Sequence, residues 1–235
     1  MICFHDSLRA QSPTQQLWFE YMLNYPFAKS FNLENAFVYS TLLTSPRWYS
    51  LEYTPTVEYA LNAHFDILSA TTFSYTYQTE DYNSFEIRPM VGTKIHVTPN
   101  RRILIRLLLR VELRNIKNLD TEEWQTTVRP RARIESLIPI NKKSFSEDNL
   151  WYGIADAEWF FTIDDVDERF ANRFRMRFGM GYRLSYTSRF EFLYTAQRSK
   201  NTIDDSYSTT DNIWRLRYKH YLRKNKPTKA SGTGN

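Results

Sequence analysis

The sequence predicts an all-β protein: a closed antiparallel up-and-down transmembrane β-barrel of about twelve strands, with ten as the alternative. Three observations predict this fold. Apolar and polar residues alternate with a period of two along most of the chain. The alternating segments run for about 12 to 16 residues, which is long for a soluble sheet and suits a tilted membrane crossing. Aromatic residues, 16% of the 235 residues, crowd the ends of these segments.

The composition excludes several other classes of protein. The formal net charge is only +5 and evenly spread, whereas a nucleic-acid-binding protein concentrates its basic residues on one face. A single cysteine excludes a disulfide framework and a zinc site built from several cysteines. The longest stretch without Asp, Glu, Lys or Arg, at 67–79, is shorter than the ~18 apolar residues that a transmembrane helix needs. A helical membrane protein is therefore excluded.

Two segments show the alternation most clearly. In 103–114, one face carries Ile103, Ile105, Leu107, Leu109, Val111 and Leu113, and the other carries Leu104, Arg106, Leu108, Arg110, Glu112 and Arg114. At helical spacing, Arg106 and Arg110 would share a face with leucines, so a helix fits this segment poorly. In 170–186, one side carries Phe174, Met176, Phe178, Met180 and Leu184, and the other carries Arg173, Arg175, Arg177 and Arg183.

The same alternation recurs in six further segments, at 49–61, 85–97, 128–138, 155–161, 190–194 and 214–222. Turn signals rich in Pro, Asn, Asp and Ser separate the segments and give about eleven candidate strands. A closed antiparallel barrel of the bacterial type has an even number of strands. One more strand is therefore expected, hidden near Pro26 or within 139–149.

The chain divides into three regions. Residues 1–16 read as a leader remnant or a disordered N-terminus, because no apolar signal-peptide segment precedes Ala10. Residues 17–222 form the barrel. Residues 223–235 are small, basic and polar, and they are expected to be a disordered tail.

Two architectures produce such alternation, and they differ in which face points outward. A soluble sandwich or a lipocalin-like barrel turns its apolar face inward and its charged face to water. A transmembrane barrel is inverted, with the apolar face toward lipid and the charged face toward the lumen. The strand length and the aromatic residues at strand ends, which match interfacial girdles, favour the transmembrane barrel.

Approximate hairpin registers place opposite charges together on the polar face. Pairing across 99–100 sets Arg88 opposite Glu112 and Glu86 opposite Arg114, and pairing across 187–188 sets Arg183 opposite Glu191. Two further hairpins flank Asp156 and Glu158 with six arginines: Arg129, Arg131, Arg133, Arg173, Arg175 and Arg177. Exposed ion pairs contribute little, whereas charges confined in a narrow lumen must be neutralised. We therefore expect these fourteen side chains to form a lumenal charge network.

Three segments carry a resemblance to a known family. Residues 17–43, 51–92 and 150–184 resemble the domain-of-unknown-function 2490 family of outer-membrane β-barrel proteins from Gram-negative bacteria. The resemblance implies a location in the outer membrane, with the lipid bilayer and the barrel-assembly machinery as partners. It implies no activity, ligand or catalytic residue. The polar residues after Leu222 depart from the aromatic C-terminus of a typical barrel.

Catalytic candidates are few, and we expect no enzyme, no cofactor and no metal site. Of His5, His64, His96 and His220, only His96 falls on the polar face of a strand, where a Ser–His–acid arrangement could form. Neither a G-x-S-x-G nor an H-E-x-x-H motif occurs. The acidic run Asp164, Asp165, Asp167 and Glu168 lacks the spacing of an EF-hand and reads as a solvated loop.

The predicted lumen allows two main functions. As a plug, its arginines cross-link the interior, and the protein, expected to be a monomer, has a structural or surface-interaction role. As a pore lining, the excess of arginine over acid would favour small anions, and the protein would be a pore or transporter. An outer-membrane hydrolase is a third alternative. The small interior of a barrel of this size favours the plug.

Overall fold

The computed structural model describes residues 13–44, 47–78, 83–99, 102–161, 163, 173–200 and 207–222, with 199–200 and 207–210 described by their backbone only. These residues form eleven strands: β1 (Thr14–Tyr25), β2 (Phe31–Leu42), β3 (Tyr49–Ala60), β4 (Phe65–Tyr77), β5 (Ser84–His96), β6 (Leu104–Asn118), β7 (Trp124–Pro139), β8 (Leu150–Phe160), β9 (Arg173–Arg183), β10 (Ser188–Lys200) and β11 (Tyr207–Tyr221). In this part of the chain no helix is long and apolar enough to cross a membrane.

The strands close into a single barrel in which every strand pairs with its neighbours in sequence. Consecutive strands are antiparallel, and β1 and β11 close the ring as a parallel pair, with Leu17 opposite Trp214. The expected number of twelve strands, or ten, is therefore wrong, because a parallel closing pair removes the need for an even number. The segment 140–149 forms a loop and adds no strand. Closure pairs the backbone on both edges of the sheet.

The parallel closing pair also fixes which loops share an end of the barrel. Because β1 and β11 run in the same direction, Thr14 and Tyr221 lie at opposite ends. The loops 26–30, 61–64, 97–103, 140–149 and 184–187 lie at the end near Tyr221, called here the Tyr221 rim. The opposite end, at which β1, β3, β5, β7, β9 and β11 begin, is called here the Thr14 rim.

The strands begin at Thr14, three residues before the expected start of the barrel at Leu17, and end at Tyr221. The sequence also predicts a leader remnant or disordered start at 1–16 and a disordered tail at 223–235. Of these residues, 1–12 and 223–235 lie outside the described part of the chain. The acidic run at 164–168 lies outside it as well.

The apolar face of the strands points outward, as the transmembrane alternative predicts. Val111 and Phe178 are 45% and 50% exposed, whereas the adjacent Glu112 is 1% exposed. On β8, Trp159 faces outward while Asp156 and Glu158 are buried. A lipocalin-like arrangement, with apolar residues filling the interior and charges outside, is therefore contradicted.

An in-register row of aromatic side chains runs across the outer surface of eight neighbouring strands. From β4 through the β1–β11 seam to β8 it comprises Phe73, Tyr53, Phe37, Tyr21, Tyr218, Phe190, Tyr182 and Trp151. The ring centroids of Phe37 and Tyr53 are 4.7 Å apart, and those of Trp151 and Tyr182 are also 4.7 Å apart. The outer face of β5–β7 is mainly aliphatic, with exposed residues that include Val91, Leu109, Val111, Leu113, Ile134 and Ile138.

Candidate functional site: the barrel interior

The interior of the barrel is the candidate site, because it gathers most of the buried charged side chains of the described residues. Alternation turns every second side chain inward. These side chains line a cavity of about 530 Å³. Of the described residues that line it, fourteen are Arg or Lys and nine are Asp or Glu.

Glu112 on β6 is the centre of the largest cluster. Its carboxylate accepts hydrogen bonds from Arg129 Nη2 at 2.8 Å and from Arg131 Nη1 at 2.5 Å. Arg110 Nε lies 3.2 Å from the same carboxylate. Three guanidiniums therefore surround one carboxylate that is almost fully buried.

Arg131 connects this cluster to β8. Its Nη2 atom lies 2.7 Å from Glu158 Oε1, and Arg110 Nη2 lies 3.4 Å from the same oxygen. On the neighbouring inward position, Asp156 accepts a hydrogen bond from Arg177 Nε at 2.6 Å. Each of the two acids of β8 thus contacts one of the six arginines predicted to flank them. Together with Arg110, these contacts join β6, β7, β8 and β9.

The remaining arginines of that group also face the interior, in different surroundings. Arg175 Nε donates to Gln197 Oε1 at 2.5 Å, and its guanidinium lies 4.8 Å from the ring of Phe160. Arg131 stacks on the same ring at 4.1 Å. Arg173 lines the cavity. Arg133 forms no ion pair with any described residue, and its Nε is buried without a hydrogen-bond partner.

A second cluster crosses the β1–β11 seam and was not predicted. Glu20 accepts from Arg215 Nη1 at 2.9 Å and from Arg217 Nε at 2.7 Å. Arg217 also donates to Glu191 at 2.9 Å. Hairpin reasoning relates only strands that follow one another, so it gave neither the direction nor the register in which β1 meets β11. The inward position of Glu20, Arg215 and Arg217 was visible in the alternation.

Glu191 pairs differently from the prediction. It contacts Lys219 Nζ at 2.9 Å and accepts a hydrogen bond from the Tyr152 hydroxyl at 2.7 Å. The predicted pair with Arg183 is wrong, because the register sets Arg183 opposite Arg189 and Glu191 opposite Gly181. The hairpin turns through the loop 184–187, closed by Leu184 N–H to the Ser188 carbonyl at 3.1 Å, and this shifts the register by two residues.

The register of β5 and β6 also differs from the predicted one. Met90, and not Arg88, lies opposite Glu112, because the strands are joined by the longer loop 97–103. Arg88 instead pairs with Glu86 on its own strand, with Nε 2.9 Å from Oε1. The predicted contact between Glu86 and Arg114 forms diagonally, at 2.7 Å, although the two residues are not directly opposite.

An apolar cluster closes part of the interior at the Tyr221 rim. Its buried members are Leu150, Tyr152, Ile154 and Leu193, and Leu137 and Phe145 pack against them. Arg183 holds the loop 140–149 over this cluster by donating to the backbone carbonyls of Phe145 and Ser146. The Tyr152 ring lies against Gly181, where an added Cβ would be 2.2 Å from Tyr152 Cζ. The loop and the apolar cluster narrow this end of the lumen.

The histidines lie at the rim and not in the charged centre. His96 Nε2 is 2.6 Å from Asp66 Oδ2. His64 Nδ1 is 3.1 Å from the backbone oxygen of His96, and His220 Nδ1 is 3.2 Å from the Tyr21 hydroxyl. His5 lies outside the described residues. Within the described ranges, no three His, Cys, Asp or Glu side chains come together as metal ligands would.

Fold and interior together define a class: a closed β-barrel with an apolar and aromatic exterior and a buried arginine–carboxylate network. The chain matches the family model described as protein of unknown function (DUF2490) over residues 15–208, and it belongs to that family. The matched region begins in β1, includes β2–β10 and ends at the start of β11. A comparison with curated proteins finds no match.

Proposed function

We propose that this protein is an outer-membrane β-barrel whose lumen is closed by its arginine–carboxylate network, with a structural or surface-interaction role and no enzymatic activity. The observation that carries the proposal is the inverted polarity of the barrel wall. Large apolar side chains are exposed on every strand for which an outward face is described, and paired charges are buried inside. An apolar exterior of this kind is stable in lipid. A closed barrel also meets the requirement that strand backbone be hydrogen-bonded within the protein where no water is available.

The geometry of the interior supports closure over conduction. Arg131 links Glu112 and Glu158, and Arg217 links Glu20 and Glu191, so guanidiniums tie strands together on both sides of the lumen. A permeating ion would have to displace these side chains. Breaking one partner out of a buried, hydrogen-bonded ion pair costs about 3–5 kcal/mol.

Insertion into a membrane is the first test of this proposal. Protein folded in detergent and reconstituted into phospholipid vesicles is expected to float with the vesicles in a density gradient and to stay bound after washing with urea. Protein that is monodisperse in buffer without detergent, and that does not float, would contradict the proposal.

A small anion-preferring pore is the second candidate, and the composition of the cavity lining favours it. Fourteen basic side chains and nine acidic ones line the cavity, and two further buried acids, Asp156 and Glu191, pair with lining cations, so a positive excess remains. A positive lining attracts anions and repels cations. Ionic current through a lipid bilayer separates the two candidates, since a closed barrel gives none and this pore would give a current carried by anions.

A further inference from the structure

We propose that the interior cavity binds a small tetrahedral oxyanion, of the class of inorganic phosphate or sulfate, between Arg133 and Arg175. This inference rests on the closed barrel proposed above and assigns a ligand to its interior. Both residues line the cavity. Four independent features of the cavity carry the proposal: its shape, its charge, its unpaired arginines and its hydroxyl groups.

The shape of the cavity follows from two unlike walls. Most inward side chains of β2–β4 are short, and their hydroxyl-bearing members form what we call the hydroxyl wall: Ser40, Ser50, Thr54, Thr56, Thr72, Ser74 and Thr76. The same strands also turn the carboxylates of Glu34, Glu52 and Glu58 toward the cavity, and Glu58 pairs with Lys94. The inward side chains of β6, β7 and β9 are long and form what we call the arginine wall: Arg106, Arg110, Arg114, Arg129, Arg131, Arg133, Arg173, Arg175 and Arg177. The open space of about 530 Å³ lies within reach of both walls. A water molecule occupies about 30 Å³, and a tetrahedral oxyanion is only a few times larger, so it fits in this space.

The charge of the arginine wall is not balanced by its own strands. Its nine guanidiniums share these strands and β8 with four inward carboxylates, those of Glu112, Glu135, Asp156 and Glu158. Glu86 on β5 accepts from Arg114 as well. An uncompensated charge away from bulk water is costly, so a positive cavity of this kind favours an anionic ligand.

Arg133 and Arg175 line the cavity, and the described residues provide neither with a carboxylate within ion-pair distance. In the register they stand on either side of Glu158, Arg133 on β7 and Arg175 on β9. The Glu158 carboxylate is already taken by Arg131 and Arg110. Neither Arg133 nor Arg175 forms an ion pair with a described residue, and Arg175 uses its Nε on the neutral amide of Gln197.

The remaining donors fit an oxyanion better than chloride or a planar carboxylate. Guanidinium groups present paired N–H donors that match the spacing of phosphate or sulfate oxygens. Arg133 Nε and Arg131 Nε are buried without a hydrogen-bond partner among the described residues, and so is Ser40 Oγ on the opposite wall of the cavity. A tetrahedral anion supplies acceptors in several directions at once. Arg133 and Arg131 on β7 and Arg175 on β9 present guanidiniums from different strands, so a ligand with acceptors on all sides satisfies more of them than a flat one.

The test uses the full-length protein folded in detergent micelles and measures its Tm. Inorganic phosphate and sulfate are titrated separately, with chloride adjusted to hold the ionic strength constant. We expect a saturable rise of Tm with either oxyanion and none with chloride or acetate. A Tm that depends only on ionic strength would overturn the proposal.

Matched variants locate the site. Arg133→Gln and Arg175→Gln are each expected to weaken the apparent affinity about tenfold, the loss of one charge-assisted contact. Arg102→Gln, in an exposed part of the loop 97–103, is the control and keeps the wild-type response. An unchanged affinity in both cavity variants would contradict the assignment.

If a variant does not fold, a second measurement on the wild-type protein still tests the proposal. Broadening of the phosphorus NMR line of inorganic phosphate by the folded protein, reversed by excess sulfate, is expected if the site exists, and a line that stays sharp would overturn the proposal. Flotation and bilayer current, measured on the same sample, report separately on the proposed function. A silent, membrane-bound barrel without an oxyanion response refutes the site alone.

Discussion

The hydroxyl wall and the arginine wall face each other across one cavity, and they hold the barrel together in different ways. In the hydroxyl wall, short side chains bond to their direct neighbours, as Thr54 does to Thr72 at 2.8 Å. In the arginine wall, Arg131 reaches from β7 to both Glu112 on β6 and Glu158 on β8. The long side chains that fill the lumen therefore come from the arginine wall and from the β1–β11 seam, where Arg215 and Arg217 pair with Glu20. The hydroxyl wall provides the space into which these side chains extend.

The largest effect that tests this difference is expected at the centre of the arginine wall. Glu112→Gln leaves three guanidiniums without their shared carboxylate and should lower the free energy of unfolding by about 3–5 kcal/mol. Urea unfolding from micelles measures this loss. Glu123→Gln, in an exposed loop at the Thr14 rim, is the control and should be nearly neutral. Equal stability of the two variants would mean that the network adds nothing to stability.

The next effect concerns the outer face of the same strands. Leu109, 40% exposed on β6, faces lipid in the proposed orientation, so Leu109→Arg should destabilise the folded barrel by about 2–4 kcal/mol. Thr126→Arg, on the outer face of β7 close to the Thr14 rim, should cost about 0–1 kcal/mol. The measurement is folding into phospholipid vesicles against denaturant. A neutral Leu109→Arg would place this face in water.

The apolar cluster at the Tyr221 rim offers a smaller effect with a close control. Gly181→Ala places a methyl group within 2.6 Å of three Tyr152 ring and hydroxyl atoms and should cost about 1–3 kcal/mol. Gly153→Ala on β8 meets only a backbone oxygen, at 4.0 Å, and should be tolerated. Thermal unfolding of both variants decides the matter, and a Tm for Gly181→Ala equal to that of Gly153→Ala would show that the Tyr152 ring moves freely.

The smallest effect is expected in the hydroxyl wall. Thr54→Val removes one neutral hydrogen bond to Thr72 and should lower the free energy of unfolding by about 0.5–1.5 kcal/mol. Thr56→Val, on the same wall, is the matched control, since the described part of the chain offers its hydroxyl no hydrogen bond. If Thr54→Val were as damaging as Glu112→Gln in the same urea unfolding measurement, the two walls would contribute alike and the comparison would fail.

Alternation in the sequence was enough to predict which side chains face inward. Arg88, Arg129, Arg177 and the other predicted lumenal residues lie on the inward face, because a period of two is a local property of each strand. Pairing was less predictable. A hairpin register depends on the loop length, and the connections β5–β6 and β9–β10 shifted three predicted pairs by two residues, although Glu86 and Arg114 still meet diagonally.

Closure of the ring was predicted, but the direction and register of the closing pair could not be read from neighbouring segments. The assumption that every pair is antiparallel led to twelve strands, whereas β1 and β11 run parallel and eleven strands close the ring. The same limitation hid the cluster of Glu20 with Arg215 and Arg217, which exists only because of that seam. Contacts between the first and last strands depend on the whole barrel, and no local pattern encodes them.

Ionic current across a planar lipid bilayer tests the closed lumen most directly. Protein that has floated with vesicles is used, because it is known to be inserted. The current across the bilayer is recorded with low and then with high salt concentration on both sides of the membrane. The arginine wall predicts no steady conductance for the wild type, and a measurable one when Arg131, Arg133 and Arg175 are replaced together by serine. Reproducible open channels in the wild-type protein, with anions carrying the current, would contradict the closed barrel and establish the pore instead.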